Sequence, residues 1–282
     1  MRLYIVIPAH NEAEFIGQTL ESLVRQTFLP ERIVVVDDQS TDATAELVEK
    51  YERKYPFVKL KKITSHQSHL PGSKVIKAFN QGYAILDEEY DLICKFDADL
   101  IFPENYLESI VSIFKAEPKV GLAGGFCTVE KNGEWFPEGL TGKDHLRGAL
   151  KAYRKECFLE IGKLKPAMGW DTADELLAQY HGWKIQTDPK LLVKHLKPTG
   201  KNYNKTSKFK QGEAFYRLHY GFPITLIASA KLALLKKKPA FFADYLRGYL
   251  KAKKEKQPFL VSEEEGRFIR NFRWKKIREK LF

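Results

Sequence analysis

Residues 2–12 read RLYIVIPAHNE. Positions 2–8 form a near-continuous apolar run rich in β-branched residues, the pattern of a strand buried on both faces. The run meets a proline and turns polar at once. Outward from it, residues 13–26 carry Phe15, Ile16, Leu20, Leu23 and Val24 at helical spacing. RIVVV at 32–36 is a second buried strand, and it ends in DDQSTD at 37–42. Residues 44–54 predict a helix and residues 58–63 a short third strand. Residues 74–86 predict a helix with Val75, Ala78, Phe79, Gly82 and Ile85 facing inward. DLICKF at 91–96 is a fourth strand, closed by Asp97-Ala98-Asp99. Strands and helices alternating at this rhythm predict an α/β fold, a Rossmann-like, mostly parallel sheet flanked by helices on both faces.

In open sheets of this kind ligands bind beyond the carboxyl ends of the strands. Residues 8–12, 37–42 and 97–99 all lie at such ends, so the fold gathers three distant polar clusters into one crevice. Asp is a good turn residue, but turns alone would not make all three clusters acidic or amide-rich. From about residue 120 the pattern changes. GLAGG at 121–125 reads as a flexible approach to a strand at 126–130, and Asn132-Gly133 is a hairpin signal. Residues 148–158 read as a strand turning into a short helix. MGWD at 168–171 reads as a tight loop before a helix at 172–180. Residues 185–187 and 191–195 read as short strands. Beyond residue 200 the chain is helical, basic and aromatic. The expected division is a catalytic domain over 1–200 and a basic helical C-terminal extension over 201–282.

Composition narrows the classes. At 282 residues, 44% hydrophobic and 29% charged, the chain has an ordinary globular balance and can bury a sizeable core. Cys94, Cys127 and Cys157 have no CxxC or framework spacing, which suits a reducing compartment and argues against a cysteine zinc site. The N-terminal residues read as a first strand, not a signal peptide. The longest apolar stretch, 222–235, is too short to span a bilayer and contains Lys231. The expected location is therefore cytoplasmic. The net charge of +11 is unevenly placed: residues 1–200 carry −3 and residues 201–282 carry +14. A segment that basic seeks an anionic partner, nucleic acid or membrane.

The motifs IVIPAHNEAEFIGQTLESLVRQTF (5–28), IVVVDDQSTDATAELV (33–48), FDAD (96–99) and GWDTADELLAQYHGW (169–183) together resemble the family 2 glycosyltransferases, which have the GT-A fold. The resemblance covers roughly residues 1–200. It implies that Pro8, Ala9, His10 and Glu12 form the loop holding the nucleotide base and ribose, and that Asp38 hydrogen-bonds the base or ribose. It implies that Lys74 contacts base or phosphates and that Asp97 lies by the ribose or the metal's water shell. Asp99 is the implied ligand of a divalent metal, Mn or Mg. Asp171 is the implied base in the acceptor-side loop, with Asp174 as its rival. Many GT-A enzymes use a late histidine as a further metal ligand; here that is His195, which reads equally as a core histidine. Gln39 stands where the family usually has glycine.

The chemistry agrees with these residue types. A nucleoside diphosphate leaving group develops strong negative charge, which a divalent cation on the diphosphate offsets. Hard cations want one or two carboxylates plus substrate oxygens and water, and a strand-end Asp97/Asp99 pair supplies them. Lys74 adds a point charge for phosphate. One base deprotonating the acceptor hydroxyl gives one in-line displacement and inversion. No second carboxylate presents itself as a nucleophile for a retaining route. The function expected is inverting transfer from a nucleotide sugar, UDP before dTDP or GDP, to a glycan or lipid-linked acceptor. A nucleotidyltransferase would show a Gly-rich basic phosphate loop after the first strand, and PAHNEAEF is not one. A dinucleotide-dependent oxidoreductase would show GxGxxG, which is absent. No nucleic-acid recognition motif appears. Lys197 and Thr199 read either as phosphate contacts or as an ordinary turn, and Trp170 either as an acceptor platform or as a packing anchor.

The extension mixes aromatic and aliphatic residues over 212–235 and 241–250, with lysines at 236–238 and in KAKKEK (251–256). Residues 268–282 form a basic amphipathic stretch with Phe272, Trp274 and Ile277. Basic helices with aromatics on the other face lie in membrane interfaces. The expectation is peripheral attachment to the anionic cytoplasmic leaflet; the alternative is that these aromatics pack back on the catalytic domain.

Overall fold

A computed structural model describes residues 1–64, 72–138, 145–197 and 209–281. The element order is β1 (Leu3–Ala9), α1 (Ile16–Val24), β2 (Arg32–Asp38), α2 (Thr44–Lys54), β3 (Val58–Ile63), α3 (Ser73–Tyr83), β4 (Leu92–Phe96) and β5 (Leu100–Ile101). Then come α4 (Tyr106–Ala116), β6 (Val120–Lys131), β7 (Glu134–Pro137), β8 (Leu150–Arg154), α5 (Lys155–Glu160), α6 (Trp170–Tyr180) and β9 (Lys184–His195). Four helices follow: α7 (Lys210–Arg217), α8 (Gly221–Leu235), α9 (Ala240–Lys254) and α10 (Glu263–Leu281).

The strands form one sheet in the order β3-β2-β1-β4-β8-β6-β9-β5, with β7 hung on β6. The β3-β2-β1-β4 half is parallel, as its βαβ rhythm demands. Past β4 the sheet is mixed: β8 runs antiparallel to both β4 and β6, while β6 and β9 run parallel. Both faces are covered, and the strand alternation divides the core in two. Leu3, Ile5, Ile7, Ile33, Val35, Leu92 and Cys94 point to the face covered by α1, α2 and α4. Tyr4, Val6, Val34, Val36 and Ile93 point to the other, where α3, α5 and α6 pack. The same second cluster contains Phe215, Leu218, Tyr220, Ile224, Tyr249, Val261 and Ile269, so the C-terminal helices share the core of the sheet.

Several sequence expectations shift. The first helix begins at Ile16, not residue 13, because Asn11 takes a left-handed backbone (φ 55°) and the chain turns at Glu12 before the helix starts. The third helix stops at Tyr83. GLAGG is not a flexible approach but lies in the buried first half of β6. A Cβ at Gly125 would lie 2.1 Å from the Leu191 carbonyl oxygen, so glycine there serves close strand approach. The two short strands at 185–187 and 191–195 are one strand, β9, whose register against β6 shifts between Gly124 and Phe126. MGWD is not a loop throughout: Gly169 is the left-handed cap (φ 79°), and Trp170 and Asp171 already belong to α6. Helix α4 was not anticipated.

Candidate active site

The register of the parallel half brings its strand ends level. Ala9 pairs with Asp37 and Asp38 with Ile63, while β4 ends one residue before Asp97. The chain leaves β1 and β2 through matching left-handed residues, Asn11 (φ 55°) and Gln39 (φ 57°). The two loops are then zipped together. His10 Nδ1 lies 2.6 Å from the Asp38 carbonyl oxygen. The Asn11 amide donates to Ser40 Oγ at 2.9 Å, and Asn11 Oδ1 accepts from the Thr41 amide at 2.8 Å. Thr44 Oγ1 accepts from the Glu12 amide at 2.8 Å, and Asp42 accepts from the Ala13 and Thr44 amides at 3.1 and 3.0 Å. Burial opposes the Asp42 carboxylate, yet these bonds hold it below the usual carboxylate range. The Ser, Thr and last Asp of DDQSTD are therefore loop fasteners.

Inside this frame Asp38 is buried, with Lys74 Nζ 3.3 Å from its Oδ2. Beside it Asp37 is also buried, and its Oδ1 has no hydrogen-bond partner among the described residues. Nothing in the sequence sets Asp37 apart from Asp38; an orphaned carboxylate oxygen is costly unless something fills the gap. Glu12 accepts from Lys197 Nζ at 2.9 Å, which ties the end of β9 to the first loop. Lys197 is thus a carboxylate partner here. Burial pushes the Glu12 carboxyl up, Lys197 pulls it back, and the charges of Asp99 and Asp97 add to the rise. Thr199 lies outside the described residues.

The Asp97-Ala98-Asp99 turn is clamped from α1. Thr19 Oγ1 donates to the Ala98 carbonyl at 2.8 Å and accepts from the Leu100 amide at 3.0 Å. Asp97 pairs with Lys95, which also donates to the Gly148 carbonyl at 2.9 Å. Leu100 is in register with His195, so β5 carries Asp99 beside β9. His195 Nε2 stands 3.3 Å from Asp99 Oδ2. The other ring nitrogen is 3.5 Å from Glu138, which pairs with Arg147 at 3.0 Å. Burial disfavours the His195 imidazolium, but Asp99 and Glu138 outweigh it and raise the ring to about 9. Two ligand atoms 3.3 Å apart fit neighbouring positions around a small divalent ion, where about 3 Å is expected from bonds of about 2.1 Å. Cys127 lies in the same cluster as Glu138 and His195. Burial pushes its thiol up to about 12. The carboxylate of Asp99 and the imidazole of His195 are donors that fit Mn or Mg.

Across β8 from this turn, Asp171 occupies the first turn of α6 and is partly exposed. A Cβ at Gly148 would lie 2.7 Å from the Trp170 ring and 3.2 Å from Asp171 Cβ, so only glycine lets this strand start pass so close. The same Gly148 carbonyl holds Lys95, the partner of Asp97. Asp174 has a different setting. It is 3% exposed, takes two bonds from Lys151 Nζ at 2.8 and 3.0 Å, and accepts from the Tyr153 hydroxyl at 2.5 Å. Glu175 shares Lys151 at 3.1 Å and accepts from the Leu146 amide at 2.9 Å, with His145 at 2.8 Å. Trp170 is 7% exposed, between Lys95 and Lys151, and is a packing anchor.

A profile described as "Glycosyl transferase family 2" matches residues 4–162. A probable glycosyltransferase, YdaM of Bacillus subtilis, is 37% identical over 100 residues, 35% of this chain and 23% of its own. A dolichyl N-acetyl-alpha-D-glucosaminyl phosphate 3-beta-D-2,3-diacetamido-2,3-dideoxy-beta-D-glucuronosyltransferase of Methanococcus voltae is 30% identical over 125 residues, 43% of this chain and 37% of its own. The chain thus spans well under half the length of these relatives. Among solved structures, mannosyltransferase PcManGT of Pyrobaculum calidifontis, in complex with GDP-Man and Mn2+, superposes with a TM-score of 0.58 at 17% identity, covering 100% of this chain and 81% of that one. S. aureus TarS 1-349 in complex with UDP-GlcNAc gives 0.58 at 18% identity, covering 89% and 73%. These likenesses show the GT-A type of fold.

Proposed function

The chain belongs to glycosyl transferase family 2, and from that premise we propose that it is an inverting transferase moving a sugar from a nucleotide-diphosphate sugar to a hydroxyl of a glycan or lipid-linked acceptor. The observation that carries the reading is the convergence of Asp97, Asp99 and His195 beside the zipped loops that bury Asp37 and Asp38. Asp38, with Lys74 beside it and the loop of Pro8, Ala9, His10 and Glu12 around it, is assigned to base and ribose. The unpartnered Asp37 oxygen faces the same task. Asp99 and His195 would hold a divalent ion, with Asp97 next to it; the imidazole favours Mn over Mg. When bound, the ion stabilises the charge on the departing diphosphate. Asp171 takes the proton from the acceptor hydroxyl: it is the partly exposed acid of its helix, whereas Asp174 is spent on Lys151. UDP is the nucleotide proposed first, with dTDP and GDP as alternatives; the similar folds include one that holds UDP-GlcNAc and one that holds GDP-Man. The strongly basic extension supports peripheral attachment to an anionic cytoplasmic leaflet that presents the acceptor.

Thermal shift with a panel of nucleotide sugars tests this, with and without Mn²⁺, on wild type and Asp99→Ala. The expected result is one donor that stabilises the wild type only with metal and leaves the variant unmoved. No stabilisation by any donor in either condition would refute the reading.

A further inference from the structure

Helix α8 is inverted for a helix facing water. Its buried positions are Ile224, Thr225, Ser229 and Ala233, so two of the four carry hydroxyls. The Thr225 hydroxyl is satisfied by the Gly221 carbonyl at 2.7 Å. Ser229 Oγ is buried with no partner among the described residues. The outward rows, 222-226-230-234 and 223-227-231-235, are apolar apart from Lys231. They carry Phe222, Leu226, Ile227, Ala230, Leu234 and Leu235, and the last two are 78% and 67% exposed. Single exposed leucines are ordinary. Two continuous rows, opposite a face that hides hydroxyls, describe a helix with apolar surroundings on both sides.

The row is about 20 Å long at 1.5 Å per residue, too short to cross a bilayer. Among the described residues no helix is long and apolar enough to do so. Lysines bracket it. Lys237 and Lys238 follow Leu235, and Lys238 sits 5.4 Å over the Phe241 ring. At the other end Phe222 meets Tyr249 at 6.1 Å, which brings the last turn of α9 alongside. That turn holds Lys251, Lys253 and Lys254 beside the exposed Leu250. By contrast α10, the stretch whose sequence looked most like an interfacial helix, turns Phe268, Phe272 and Trp274 against the core.

We propose that α8 is the membrane-docking face: its outer rows sink to the headgroup–acyl boundary, in the plane of an anionic leaflet, with the flanking lysines on lipid phosphates. This rests on the peripheral attachment proposed above and assigns the face that makes it. The test is flotation of the full chain with vesicles of mixed phosphatidylglycerol and phosphatidylcholine, against phosphatidylcholine alone. Wild type is expected to float with the anionic vesicles. Leu234→Glu/Leu235→Glu, and separately Leu226→Gln/Ile227→Gln, are expected to weaken binding by about tenfold or more with unchanged melting temperature. Lys275→Glu/Lys276→Glu on α10 is expected to weaken it less. If the α8 variants bind like wild type while the α10 variant does not, attachment stands and the assigned face is wrong. If wild type ignores anionic vesicles, both fall, and the donor-binding test is untouched. If the same α8 variants instead abolish a dimer seen by light scattering, with no vesicle binding, the face joins two copies and the proposal is overturned.

Discussion

Asp97 and Asp99 stand one residue apart at the end of β4, and Asp171, Asp174 and Glu175 stand close together at the start of α6. By residue type the two clusters look alike. Each is served by a lysine, and the two lysines, Lys95 and Lys151, are register partners across β4 and β8 that flank the same Trp170 ring. Yet the outcomes differ. Lys95 takes one oxygen of Asp97 and leaves Asp99 to His195 at the sheet edge. Lys151 is fully buried and takes both Asp174 and Glu175, so those acids fasten α6 to the sheet. Both lysines are buried on the same face of the sheet; what differs is how many carboxylates each one reaches, one for Lys95 and two for Lys151.

The comparison breaks first at α6. Asp171→Asn is expected to lower turnover by about 10²–10⁴-fold while leaving donor-induced stabilisation intact. If turnover survives, the base lies elsewhere. Lys151→Met is expected to act on stability instead. It strands two buried carboxylates, at a cost of about 3–5 kcal/mol, or on the order of 10 °C in melting temperature. Even with Lys151 present, burial pushes Asp174 up to about 6. A carboxyl raised on folding binds its proton more tightly in the native state. Its favourable contribution is therefore present at acid pH and is lost as pH rises through the folded value. The deficit of Lys151→Met should accordingly shrink between pH 7 and pH 5, and chemical denaturation at both pH values checks it. Adding Asp174→Leu to Lys151→Met should recover a part of the loss, because removing both charges leaves less unpaired. A double variant no better than the single one would mean that Glu175 alone carries the cost.

The parallel half of the fold was legible because buried parallel strands read as apolar runs and their helices as amphipathic ones. The strand-end rule then located Asp38, Asp97 and Asp99 without coordinates. What escaped the sequence were effects of pairing at a distance. GLAGG looks like slack chain until Leu191 is seen against Gly125. Asp174 competes with Asp171 on paper because nothing local announces that Lys151 and Tyr153 enclose it. Asp37 and its neighbour are equally acidic in sequence, and only the hydrogen-bond account separates them. In the C-terminal helices, composition identified a basic, aromatic segment, and the structure turns Phe268, Phe272 and Trp274 of its last helix against the core. Thr225 and Ser229 sit four residues apart on α8 and turn inward, so the apolar rows of that helix face outward.

The smallest expected effect sharpens the distinction between residues that frame the site and residues that touch the donor. Gln39 leaves β2 in the left-handed region and is exposed. A side chain with a Cβ pays about 1–2 kcal/mol there, whereas glycine does not, though glycine also gains freedom in the unfolded chain. Gln39→Gly is therefore expected to raise stability by about 1 kcal/mol or less, a shift of roughly 2–4 °C at most. Asn11, in the matching position after β1, offers no such gain. Its Oδ1 accepts from the Thr41 amide, so Asn11→Gly exchanges strain for a lost fastener. If Gln39→Gly keeps donor-induced stabilisation unchanged, Gln39 belongs to the frame alone. If that stabilisation falls while the melting temperature rises, the amide reaches the nucleotide, and the loop after β2 contributes a contact that the glycine usual in the family could not make.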